Sequence, residues 1–172
     1  MIGLIAAMEE ELNAVVAKMS NVVRKDITGF TLFQGSLNNK EVVICQSGVG
    51  KVQAAMATTL LIDHFPLEAM INVGIAGSLK KGLTLRNVVV ANKIAQWDFD
   101  LTAFNIIKGY DNERYTTNVD PVLLSRVEAL MKDDKNLYIG PMVTGDQFVY
   151  LDSQINEIKQ AYPEALCDCS SL

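Results

Sequence analysis

Short apolar runs that stop at small or polar residues punctuate the chain, and several of them read as buried strands. Met1 to Ala7 is the first. Ile44-Cys45 leads into Gln46-Ser47-Gly48-Val49-Gly50-Lys51, and Met70 to Val73 leads into Gly74-Ile75-Ala76-Gly77-Ser78. Tyr138 to Val143 leads into Thr144-Gly145-Asp146-Gln147-Phe148-Val149. Continuous apolar runs bounded by small residues are the pattern of parallel strands covered on both faces. Gly29 to Gly35 and Glu41 to Gln46 instead alternate apolar and polar residues around Asn38-Asn39, which predicts an antiparallel hairpin. Asn87 to Gln96 is a further β-branched strand, and Ala165-Leu166-Cys167 opens another.

Between the strands the apolar period changes to that of helices. Leu12, Val15, Val16 and Met19 follow Glu9-Glu10-Glu11 at the spacing of one helical face. Lys51 to Phe65 is a second helix closed by Pro66, and Asp120-Pro121 caps a third that runs to about Met131. Asp152 or Ser153 caps a fourth through Tyr162, ended by Pro163. Leu79 to Leu85 reads as a basic loop and Lys108 to Asn118 as a polar, mobile connection. In Trp97-Asp98-Phe99-Asp100-Leu101-Thr102-Ala103-Phe104 aromatics and acids interleave without a period. Such a loop either serves function or an interface, or folds its own aromatics inward. The alternation of strands and helices predicts an α/β fold on a mixed sheet.

Composition narrows the choice of partner. A length of 172 residues, 49% of them apolar, suits one well-buried domain. The net charge of −5, with no basic cluster beyond Lys80-Lys81, argues against nucleic acid and anionic membranes and leaves a small neutral or cationic ligand. No apolar run approaches the roughly 20 residues of a membrane helix, and the N-terminus lacks a signal-peptide pattern, so the expected compartment is the cytoplasm. Three cysteines and one histidine, His64, supply neither a disulfide framework nor a metal site; Cys45 reads as a small core residue.

The strand ends carry the candidate chemistry. Glycine loops there are either plain tight turns or ligand-facing loops, and two alike, at Gly48-Val49-Gly50 and Gly74 to Gly77, suggest a shared crevice. The three glutamates complement a helix dipole, but they also begin where the first strand ends, so one of them, Glu11, should overlook that crevice. The helix starting at Lys51 could attract an anion. Its loop, however, has the spacing of neither a P-loop nor a dinucleotide fingerprint, and Lys51 is a single cation.

Five segments in order then carry a family likeness: Ile2-Gly3-Leu4-Ile5-Ala6-Ala7-Met8-Glu9-Glu10-Glu11, Ser47-Gly48-Val49-Gly50-Lys51-Val52, Asn72-Val73-Gly74-Ile75-Ala76-Gly77, Asp100-Leu101-Thr102-Ala103-Phe104 and Thr144-Gly145-Asp146-Gln147-Phe148. The chain resembles the 5′-methylthioadenosine/S-adenosylhomocysteine nucleosidases of the nucleoside phosphorylase-like superfamily. The resemblance implies a single three-layer α/β/α domain over residues 1–172, with a central mixed, mostly parallel sheet. It also implies hydrolytic release of adenine from a thio-substituted ribose, with no cofactor and no metal. Glu11 matches the carboxylate that orients the attacking water. Phe148 matches the aromatic that stacks on the purine, and the main chain of Val149 the group that bonds its edge. Met8, Val49, Ile75, Ala76 and Gly77 match the wall around the ribose and its 5′ substituent. Leu101 and Phe104 match residues lent to the neighbouring subunit, which implies a homodimer. Asn72 stands where phosphorolytic relatives carry a phosphate-binding arginine, so water is the expected nucleophile. Family members continue past the Tyr162-Pro163 helix with a Glu-Met-Glu strand and a later Ser-Asp motif. Here Cys167-Asp168-Cys169-Ser170-Ser171-Leu172 follows, with the ribose glutamate falling at Ser170 or Ser171. The expectation is a domain without its C-terminal elements: either a nucleosidase in shortened form or a catalytically silent nucleoside-binding or storage protein.

Overall fold

The structure is a computed structural model and describes residues 1–169; the ribose position at Ser170 or Ser171 lies outside the described residues. The contacts divide the chain into two compact units, the first Met1–Ile75 and the second running from Ala76 through the rest of the described residues.

In the first unit the elements are β1 (Ile2–Ala6), α1 (Glu9–Val16), β2 (Ser20–Ile27), β3 (Phe30–Leu37), β4 (Lys40–Gln46), α2 (Lys51–His64) and β5 (Ala69–Asn72). The strands pair in the order β2-β3-β4-β1-β5. β2, β3 and β4 are antiparallel neighbours, whereas β1 runs parallel to both β4 and β5. Asn38 and Asn39 both take positive φ, 47° and 64°, as the tight β3–β4 hairpin requires. Alternation along β1 and β4 sends side chains to opposite faces. Ile5, Val43 and Cys45 pack with Leu32 against Ala57, Leu60 and Leu61 of α2. Leu4, Ala6, Val42 and Ile44 pack against Leu12 of α1. Helices therefore cover both faces of this sheet. Burying each such aliphatic side chain stabilises the fold by about 1.5–3 kcal/mol.

The second unit contains β6 (Gly77–Ser78), β7 (Val88–Gln96), a 3₁₀ turn at Thr102–Phe104, β8 (Thr116–Asn118), α3 (Pro121–Met131), β9 (Leu137–Thr144), α4 (Asp152–Ala161) and β10 (Cys167–Asp168). Its strand order is β6-β10-β9-β7-β8, with β10, β9 and β7 parallel in the middle and antiparallel strands at both margins. Leu79, Ala95, Trp97, Val143 and Ala165 close a core with Ile158 and Tyr162 from the α4 segment.

The mixed α/β architecture is as expected, and the described strands pair in two mixed five-stranded ladders. Ladder pairing lapses after Asn72 and resumes only at Gly77, across the small-residue run. One strand was not expected, and two local expectations change. Ser20–Ile27 is a strand that the apolar pattern misses, because all but Ile27 of its residues are exposed. The stretch expected to be a polar connection holds β8 and a buried Tyr115. Neither Asp152 nor Ser153 caps α4: Gln154 reaches back to accept the N–H groups of Tyr150 and Leu151 at 3.2 and 3.1 Å.

Candidate functional site

Parallel pairing of β4, β1 and β5 delivers their C-terminal ends to one edge of the first sheet, where open α/β sheets take ligands. The main chain extends the pairing past the strands, with Ser47 N–H donating to Ala6 O and Val73 N–H to Ile5 O, both at 2.9 Å. That edge therefore gathers residues 7–11, 47–50 and 73–75.

Glu11 ties the edge together. Its Oε2 accepts the N–H groups of Ala7 and Met8, each at 3.0 Å, and its Oε1 accepts the N–H of Ile75 at 2.9 Å. The first pair satisfies donors that a helix start leaves open, and the last bond reaches the glycine-bearing loop after β5. Glu9 and Glu10 are exposed, so of the three acids only Glu11 bridges two strand ends. A carboxylate offers about four lone-pair positions, and three bonds leave room for one further donor. Met8 is half-buried beside this group, and Ile75 and Val49 are exposed. Val49 sits between Gly48 and Gly50, whose φ values of 81° and 102° suit only glycine, and the buried Ser47 hydroxyl donates to Gly48 O at 2.9 Å. The first unit thus brings together Met8, Glu11 and Ile75 directly, with Val49 on the same edge.

The second unit repeats the device. Gln96 of β7 lies beside Thr144 of β9, so the segments after both strands emerge together. Trp97 N–H donates to Thr144 O at 3.0 Å, and Asp146 N–H to Asp98 Oδ2 at 2.6 Å. A Cβ on Gly145 would stand 2.6 Å from Trp97 Nε1 and 3.0 Å from Asp98 Cγ, so only glycine lets the turn close on these side chains. Beyond that turn Phe148 is 74% exposed and lies roughly parallel to Tyr150, with ring centroids 6.5 Å apart. Val149 packs against the core of the unit. Ala76 and Gly77 are exposed, and Gly77 pairs with Asp168.

Leu101 and Phe104 lie on the loop after β7. Leu101 is half-buried with its N–H on the Tyr115 hydroxyl at 2.8 Å, and Phe104 is 74% exposed. The Thr102 hydroxyl and N–H both donate to Asp100, which holds its carboxyl below the ordinary range, and the nearby Lys108 ammonium adds to the effect. Cys45, Cys167 and Cys169 are buried free thiols, and desolvation pushes Cys45 and Cys169 up to about 11. Among the described residues no group of three or more His, Cys, Asp or Glu side chains is placed to hold a metal ion.

Sequence reasoning did not single out Asp98, Lys108 or Tyr115, all of which support the site loops. Asp98 stood within the acid and aromatic segment. Nothing in the polar context of Tyr115 marks it as buried.

The phosphorylase superfamily model matches residues 1–171. A 5′-methylthioadenosine/S-adenosylhomocysteine nucleosidase of Staphylococcus epidermidis is 39% identical over 170 residues, covering 96% of this chain and 74% of the relative. The nucleosidase of Streptococcus pneumoniae, solved with a transition-state inhibitor, superposes with a TM-score of 0.88 at 36% identity, covering 97% of this chain and 74% of that one. The S-adenosylhomocysteine nucleosidase of Streptococcus pyogenes superposes at 0.89 with 34% identity, covering 97% and 72%. By this match over nearly its whole length, the chain belongs to the phosphorylase superfamily, among the 5′-methylthioadenosine/S-adenosylhomocysteine nucleosidases.

Proposed function

We propose that this chain is an N-ribosyl hydrolase that releases adenine from 5′-methylthioadenosine and S-adenosylhomocysteine. The observation that carries the reading is the Glu11 carboxylate, held by three main-chain N–H groups at a glycine-lined strand edge and retaining capacity for one more donor. A water bonded there is oriented for attack on the anomeric carbon. Its oxygen joins that carbon as the bond to adenine breaks, its proton passes to the Glu11 carboxylate, and the departing base takes a proton from solvent water. The carboxylate also stabilises positive charge growing on the sugar.

In this reading Phe148 stacks on the purine and the Val149 main chain bonds its edge. Met8, Val49, Ile75, Ala76 and Gly77 wall the ribose and the 5′ substituent. Leu101 and Phe104 reach a neighbouring copy, making the working unit a homodimer, and residues 1–172 act as one nucleoside phosphorylase-like domain without a cofactor. Water is preferred to phosphate because the four arginines, at 24, 86, 114 and 126, lie outside the segments 7–11, 47–51 and 72–77, and Asn72 stands at the loop entrance. The cytoplasm is the proposed compartment, supported by three free thiols, which an oxidising compartment would tend to pair.

The test is adenine release from 5′-methylthioadenosine by the chain purified from a host lacking its own nucleosidase. The expected result is adenine above background, independent of added phosphate. Binding of the nucleoside without release would instead identify a silent binding protein, and neither binding nor release would overturn both readings.

A further inference from the structure

We propose that Tyr115 is a positioning residue that holds the loop carrying Leu101 and Phe104 in a ligand-ready shape; this rests on the reading that those two residues meet the nucleoside. The hydroxyl of Tyr115 accepts the Leu101 N–H at 2.8 Å and donates to Ile106 O at 3.2 Å, so one oxygen ties both ends of the segment 101–106.

The tyrosine is itself fixed to the sheet rather than to the loop. Its carbonyl accepts the Gln96 N–H at 2.8 Å, its ring is 2% exposed, and β8 begins at the next residue. Phe99, itself 42% exposed, meets that ring edge-on, with centroids 6.0 Å apart. Phe104, between the two tethers, stays 74% exposed. Lys108 adds a third tie, its Nζ donating to Trp97 O at 3.1 Å while the side chain is only 15% exposed. Asn105, at φ 59°, turns the chain back immediately after Phe104. Holding these groups before binding removes an ordering cost that association would otherwise carry.

The experiment compares Tyr115→Phe, Phe104→Ala and the double variant, each by adenine-release kinetics, alongside amide hydrogen exchange. Removing only the hydroxyl should accelerate exchange at the Leu101 N–H and raise KM for 5′-methylthioadenosine roughly tenfold with kcat little changed, as expected when ground and transition states lose the same contact. Because Tyr115 acts through the loop that carries Phe104, the double variant should lose less than the product of the two single losses. Additive losses, or unchanged exchange at Leu101, would overturn the positioning role alone. A wild-type chain that neither binds nor cleaves the nucleoside would overturn the functional reading and this proposal with it.

Discussion

Glu11 receives N–H groups on both carboxylate oxygens, two on Oε2 and one on Oε1, and this makes its conservative replacement informative. In Glu11→Gln the single amide oxygen can face either Ala7 and Met8 or Ile75. Whichever side receives the NH₂ group then sets donor against donor, at about 1–3 kcal/mol. Under the proposed function, the variant also loses the negative charge opposite a developing oxocarbenium ion. Turnover should fall by about 10²-fold or more while calorimetry still detects 5′-methylthioadenosine binding, and the apparent melting temperature should drop by several degrees. Unchanged turnover would mean that another group orients the water. That one of three consecutive acids should face the loop edge was legible from position, since the strand end before them points there; the choice of Glu11 rested on the family resemblance. Its bond to Ile75 was not legible, because no local pattern links residues 64 positions apart.

At the scale of elements, α3 shows how local chemistry can determine a boundary. Asp120 accepts the N–H groups of Val122 and Leu123 at 2.8 and 2.9 Å, with Pro121 at the first helical position, as the Asp-Pro pair predicts. Asp120→Ala should cost about 1 kcal/mol, seen as a fall of roughly 2–4 °C in apparent melting temperature, with adenine release per folded molecule unchanged. A shift under half a degree would show that the cap contributes little. The elements read correctly from sequence are β1, β3, β4, β5, β7, β9, the opening of β10 and the bodies of the four helices, mostly where an apolar period or a turn signal marks them. β2 escaped because its exposed side chains, including the Arg24–Asp26 pair, carry no core face to alternate. β8 is three residues long and, among the described residues, pairs with β7 alone, too short for any period to register. At α4 the side-chain acceptor lies two residues beyond Asp152, so a helix start was read correctly and its capping group was not. The division of the strands into two ladders depends on pairing between distant segments, which periodicity does not report.

At the scale of the whole molecule, the proposed function places Glu11 and Phe104 on different copies around each substrate. That arrangement predicts complementation. Glu11→Gln and Phe104→Ala should each be impaired alone, for different reasons. In a mixed dimer, one site combines both defects. The other combines the intact Glu11 of the Phe104→Ala chain with the intact Phe104 of the Glu11→Gln chain. A closed two-fold dimer exchanging subunits at random from an equal mixture holds half its molecules as such hybrids, so about a quarter of all sites should recover wild-type kcat/KM. Adenine release measured after co-refolding should therefore exceed the mean of the two parents, whereas simple mixing under conditions that block subunit exchange should not. If Phe104 served the substrate bound by its own chain, no hybrid site would pair an intact Glu11 with an intact Phe104. The refolded mixture would then show only the parental average, and the loop after β7 would have to be reassigned from an intersubunit role to one within the chain.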